Sequence, residues 1–159
     1  MVYRNLTLRT VALGLVLVWL AGCAGPAVQK PKVAPANPAL ALKFTQEGRQ
    51  AYELGRKAAA VDAWKQAVSL NPEDAATVNN LALLLQEEKH FSEAATFLET
   101  GLQYSPDVPQ LHYNLAIISE LYLLDLKKAL VHYRTYRKLT GAEDKQVEGW
   151  IADLERRLD

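Results

Sequence analysis

The sequence predicts an all-α chain: an α-solenoid of three helix-turn-helix repeats closed by a C-terminal capping helix. Three observations predict it. Residues recur with a period of 34, apolar residues fall at helical spacing within that period, and glycine is sparse along the repeating part. Sheet proteins of this size need many Gly- and Pro-rich turns, and here proline gathers near the start and at a few boundaries.

The period is read from pairs of like residues. Gly48, Ala82 and Ala116 stand 34 apart, as do Ala60 and Ala94, Trp64 and Leu98, Ala67 and Gly101, and Pro72 and Pro106. Small side chains at the first two of these places let two helices approach closely. The large side chain fills the space between neighbours, and the proline ends the second helix because it cannot continue the hydrogen-bond ladder. Within the unit, Val78, Leu81, Ala82 and Leu85 follow the i, i+3, i+4, i+7 pattern of one apolar stripe. Asp74 and Asp107 precede first helices where an N-cap acceptor is wanted, and Asp125 can cap the last helix of the third unit.

These places resemble the tetratricopeptide repeat, a helix-turn-helix unit of the same length. Counted from Ala41, the first repeat supplies Gly48, Ala60, Trp64, Ala67 and Pro72 at places 8, 20, 24, 27 and 32. Counted from Ala75, the second supplies Ala82, Ala94, Leu98, Gly101 and Pro106. The third, from Pro109, keeps Leu115 and Ala116 but gains one residue near Leu123–Asp125, so Ala129 and Tyr133 fall 35 residues after their counterparts. The insertion should lengthen the turn between its helices. Tyr136 at the small place 27 implies looser packing there, or something different stacked behind it.

Gly141 is a natural helix stop. After it, residues 143–158 form an amphipathic helix with Val147, Trp150, Ile151, Leu154 and Leu158 along one side. A stack of repeats exposes an apolar end that must be covered. This helix is expected to be that cap, with a dimerisation helix as the rival reading.

The first forty residues differ in kind. Arg4 and Arg9 precede an uncharged apolar run from Val11 to Ala21, and Gly22 and Cys23 follow. This is the layout of a secretory signal peptide, and the run is too short for the roughly 20 residues a membrane-spanning helix needs. Leu20-Ala21-Gly22-Cys23 resembles the bacterial lipobox, and Cys23 is the chain's one cysteine. The resemblance implies cleavage after Gly22 and a lipid on Cys23, with Ala24 directing the protein to the outer membrane, facing the periplasm, of a Gram-negative cell. An ordinary cleaved signal with an incidental cysteine and an uncleaved anchor are the alternatives. Pro26, Pro31, Pro35 and Pro38 make the following stretch an extended tether. The expected organisation is therefore a signal peptide over 1–22, a lipidated tether over 23–39, three repeats over 40–141 and the capping helix over 142–159.

Charge and motif content exclude several function classes. Eighteen basic and eighteen acidic groups cancel, and that overall balance gives no electrostatic grip on nucleic acid or on an anionic membrane surface. The chain has no Gly-rich phosphate loop, no paired cysteines and no nucleophile elbow. His90, His112 and His132 sit in different helices or turns without carboxylates convergent in sequence. No enzyme, metal site or cofactor is expected beyond the covalent lipid. Lys127, Lys128, Arg134, Arg137 and Lys138 make one helix basic. That is either a solvated convex face or a docking patch for an acidic partner or lipid headgroups.

The tetratricopeptide resemblance implies that the first helix of each repeat lines a concave groove. Its residues here include Gln46, Arg49 and Tyr52 from the first repeat, Asn79, Asn80 and Leu83 from the second, and Tyr113, Asn114 and Ile117 from the third. Gln46, Asn80 and Asn114 form a row of amides one repeat apart, each able to donate to and accept from the backbone of an extended peptide. Arg49 is the one basic residue at the groove places, which argues against clamping a terminal carboxylate and for reading backbone or apolar anchors. Lipoproteins of this layout resemble type IV pilus pilotins and the repeat proteins of TonB-type systems. The implied role is a non-catalytic adaptor binding a protein segment of an envelope assembly, with a self-associating scaffold as the rival class.

Overall fold

The computed structural model describes residues 37–141 and 144–159. The expected signal peptide, Cys23 and the tether up to residue 36 lie outside the described residues. Seven helices follow one another: α1 (Pro38–Glu53), α2 (Lys57–Leu70), α3 (Ala75–Glu87), α4 (Phe91–Tyr104), α5 (Pro109–Leu121), α6 (Leu126–Thr140) and α7 (Lys145–Leu158). Each odd helix packs on the even helix after it, and each even helix packs on the odd helix that follows, so the chain is a solenoid of three helical hairpins with α7 laid on α6.

The start of α1 corrects the expected tether boundary. Pro38 and Ala39 belong to the helix, because Asn37 accepts a hydrogen bond from the Leu40 amide at 3.0 Å and Pro38 occupies the first turn. Proline is tolerated there since its missing N–H would have no partner in the helix. Asp74, Asp125 and Asp144 cap α3, α6 and α7 through their carboxylates. At α5 the expected aspartate cap is replaced: Val108 is the N-cap, Pro109 follows it, and Asp107 stands one residue further out. Gly141 ends α6 in the left-handed conformation at φ 59°. The turn inside each hairpin also passes through a left-handed residue, at Gly55 (φ 71°), Lys89 (φ 65°) and Leu124 (φ 56°). Three residues separate the helices of the first two hairpins and four those of the third, where the inserted residue lies.

The core is built at the repeated places. Ala60, Ala82, Ala94, Ala116, Ala129 and Leu98 are fully buried, with Trp64 and Tyr133 nearly so. Trp64 packs directly against Gly48, where any Cβ would clash with the indole ring at Cδ1, Nε1 and Cγ. The indole N–H donates to the Thr45 carbonyl at 3.2 Å, so the ring's one polar atom is satisfied inside the contact. Gly101 has the same role at the next seam, 2.8 Å from Val78 Cγ1 for an added Cβ. In the third hairpin Tyr136 replaces the small residue. Its ring stands 5.1 Å from that of Tyr113 and joins the cluster that receives α7. Val147, Ile151 and Leu154 of α7 are buried in that cluster, so the apolar end of the stack is covered.

Gly48 and Gly149 should respond oppositely to the same change. Gly48→Ala forces Trp64 out of place and should cost about 1–3 kcal/mol, as overpacking does. Gly149 is exposed in α7 with nothing within 4 Å of an added Cβ. Gly149→Ala should therefore stabilise by about 0.5–1 kcal/mol through helix propensity. Urea midpoints of the two variants check both signs.

Candidate functional site

The odd helices lie on the inner side of the stack. Helices α3 and α5 pack beside each other. The even helices are instead bridged by long side chains, Lys65 to Glu93 at 2.6 Å and Lys128 to Glu99 at 2.7 Å. One side-chain hydrogen bond closes each inner seam. Thr77 donates its hydroxyl hydrogen to Asp74 at 2.6 Å, so Thr45 must be the donor in its 3.0 Å contact with Thr77. Asn114 Nδ2 donates to Asn79 Oδ1 at 2.6 Å.

Between α1 and α3 the inner face opens into a cleft of about 230 Å³ lined by Arg49, Tyr52, Trp64, Asn80, Leu83, Leu84 and Glu87. A second cleft, about 380 Å³, continues past Leu83 and Glu87 to Gln86, Lys89, Phe91 and Tyr122. Leu83 and Glu87 line both, so the two form one trough running along the C-terminal half of α3. Its far end is walled by Phe91 and Tyr122, whose rings stack at 4.0 Å and 9°. Tyr52 and Leu83 are 47% and 43% exposed, a large apolar surface for two side chains beside a cleft. The trough's charges are already answered in part: Arg49 faces Glu53 at 3.9 Å, and Lys57 binds Glu87 and Glu88 at 2.7 and 3.1 Å. Those two carboxylates raise the Lys57 pKa.

The nine expected groove residues separate into two groups. Arg49, Tyr52, Asn80 and Leu83 line the trough together. Gln46 is exposed on α1 but is not among the residues lining either cleft. Asn114 is bonded to Asn79, so of the row Gln46, Asn80 and Asn114 the first two keep exposed amides and the third belongs to a structural pair, which leaves Asn80 as the amide of the row that lines the trough. Tyr113 is half-buried against Tyr133, Tyr136 and Trp150, and Ile117 packs on the same cluster. Both are half-buried beside the core that α7 closes. Tyr133 donates to Glu120 Oε2 at 3.1 Å while Arg157 of α7 approaches Glu120 Oε1 at 3.5 Å. Burial, with the Glu120 charge beside it, pushes the Tyr133 phenol far above its ordinary range.

Sequence reasoning missed two features. Phe91 and Tyr122 lie in different turns, and no periodicity joins them. The sequence places His112 and His132 in different helices, yet their Nδ1 atoms stand 2.8 Å apart between α5 and α6. His112 Nε2 lies 2.8 Å from the Pro106 carbonyl, which can only accept. His112 therefore carries its proton on Nε2 and accepts at Nδ1 from His132 Nδ1–H. Their spacing of 20 residues would have placed them on facing helices once the turn lengths were known. Among the described residues, no group of three His, Cys, Asp or Glu could hold a metal ion.

No family model matches the chain, and no curated protein matches it either. Solved structures do. The first TPR of Spaghetti (RPAP3), bound to an HSP90 peptide, superposes with a TM-score of 0.66 at 14% identity, covering 79% of this chain and 98% of that one. PcrH in complex with the chaperone-binding region of PopD gives 0.62 at 18% identity, over 74% and 92%. The TPR2B domain of yeast Sti1, in an Hsp70 complex, gives 0.61 at 18% identity, over 74% and 97%. The chain thus has the tetratricopeptide-repeat fold.

The histidine pair makes stability depend on pH in a definite direction. Burial, then the His112 ring, pushes the His132 imidazole down to about 4 from 6.5, with Lys128 adding to the shift and Glu99 opposing it. The unfolded chain binds that proton first, so this contribution is complete above pH 6.5 and is lost as pH falls toward 4. Urea midpoints measured across that window should fall more steeply for the wild type than for His132→Leu. Parallel profiles would mean that His132 titrates as it does in the unfolded chain.

Proposed function

We propose that this chain is a non-catalytic adaptor that seats an extended segment of another protein in the trough along α3. The observation that carries the proposal is the trough itself: exposed Tyr52 and Leu83 beside the open amide of Asn80, on the inner face of a rigid stack. Apolar side chains of a bound strand would enter beside Leu83, and Asn80 would pair with its backbone. The acidic neighbours of Arg49 and Lys57 leave little net positive charge for a terminal carboxylate. Support comes also from proteins of the same fold, since the RPAP3 domain was solved with an HSP90 peptide and PcrH with a segment of PopD.

The lipobox-like Leu20–Cys23 segment supports the finer part of the proposal. A lipid on Cys23 holds the domain at the periplasmic side of the outer membrane, where its partner belongs to an envelope assembly of the TonB-type transport or pilus and secretion class.

Capture from envelope extract by the full chain, compared with an Asn80→Ala/Leu83→Glu variant, tests the trough. One partner retained by the wild type and reduced roughly tenfold or more by the variant, at unchanged circular dichroism, is the expected result. Such a loss corresponds to about 1.4 kcal/mol or more. Equal capture would place the binding surface elsewhere, and recovery of only the protein itself would favour a self-associating scaffold. The anchor is tested separately. Cys23→Ser should shift the protein from the membrane to the soluble fraction, and persistence with the outer membrane would refute lipid anchoring.

A further inference from the structure

The outer side of α6 carries a separate surface. The chain as a whole balances 18 basic against 18 acidic groups, yet α6 holds Lys127, Lys128, Arg134, Arg137 and Lys138 and no acidic residue. At about 100° per residue, Lys127, Val131, Arg134 and Lys138 fall within roughly 60° of one another and run for about 16 Å along the helix. All four are exposed, Val131 at 58%. Lys128 points instead to Glu99 and Asp125. Arg134 bonds Glu155 at 2.6 Å but keeps half its side chain in solvent. Lys127, Arg137 and Lys138 have no ion-pair partner among the described residues. At the helix's N-terminal end, Leu124 is 74% exposed and takes φ 56°, a left-handed conformation that disfavours any residue with a side chain.

We infer that this face of α6 docks on an anionic phospholipid surface. Cations and aliphatic side chains mixed along one helix side match headgroup phosphates and the acyl boundary beneath them. The face lies on the outer curve of the solenoid, away from the trough. A convex, open helix side suits a planar bilayer, whereas an acidic peptide would gain more from a concave seat. Docking here leaves the α3 trough directed away from the membrane and free for its partner. The inference does not depend on that trough having a partner, nor on a lipid at Cys23.

The test is flotation of the full chain with vesicles of phosphatidylcholine alone and of phosphatidylcholine mixed with phosphatidylglycerol, at low and high salt. Residues 1–36 contribute equally to wild type and variants, so differences between them report on the domain. Lys127→Glu/Lys138→Glu should lower affinity for the anionic vesicles by roughly tenfold or more at low salt, and high salt should erase the difference. Val131→Asp, checked for unchanged circular dichroism, should also weaken binding. Equal partition of wild type and the double variant overturns the inference. Binding to polyglutamate without preference for anionic vesicles also overturns it and assigns the face to an acidic protein.

Discussion

The contact of Trp64 with Gly48 sets the spacing on which the rest of the molecule depends. A flat indole can lie directly on a helix backbone only where no Cβ intervenes, and its N–H is satisfied by the Thr45 carbonyl within the same contact. The equivalent places further along, Ala82 with Leu98 and Ala116 with Tyr133, are likewise buried. Each small-large combination brings two helices together and presents an apolar side to the next pair. The inner curve follows from this repetition, and the trough is a consequence of the curve.

The third hairpin departs from the repeat pattern at the inserted residue in its turn and at Tyr136. Tyr136 stands where a small residue packs in the other hairpins, and Tyr113 and Trp150 gather around it and Tyr133. Glu120 is engaged by Tyr133 and Arg157, so α7 seals this end with polar as well as apolar contacts. The trough lies on the α1–α3 side and in the turn region beyond Leu83. In the turn of the third hairpin Tyr122 stacks on Phe91 at the far wall.

The two sides of the solenoid use charge differently. On the outer side the even helices are spaced too far apart for backbone contact, and lysine-glutamate pairs span the gap. Such exposed pairs contribute little each, on the order of 0–1 kcal/mol, so they orient the helices more than they hold them. Packing of the small-large places supplies the stability. That division leaves outer charges such as those of α6 free to vary without disturbing the core.

Much of the fold was legible because helical hairpins are local. The 34-residue period located all three hairpins, the apolar stripe of α7 marked the cap, and Asp74, Asp125 and Gly141 marked helix ends where the structure has them. These signals need only neighbours within one turn or one repeat. The α1 start at Asn37 was hidden because Pro38 continues a proline-rich stretch and reads equally as tether or first turn. The site was legible only in part. Arg49, Tyr52, Asn80 and Leu83 follow from their places in the repeat, whereas the Asn79–Asn114 bond, the Phe91–Tyr122 wall and the His112–His132 pair join residues from different helices or turns. The sequence by itself determined which residues are small, which are large and where each helix stops. Tertiary structure alone decided which amides remain open and which histidines meet, because those depend on the rotation of one helix against another, and the chain encodes that rotation only through the packed core.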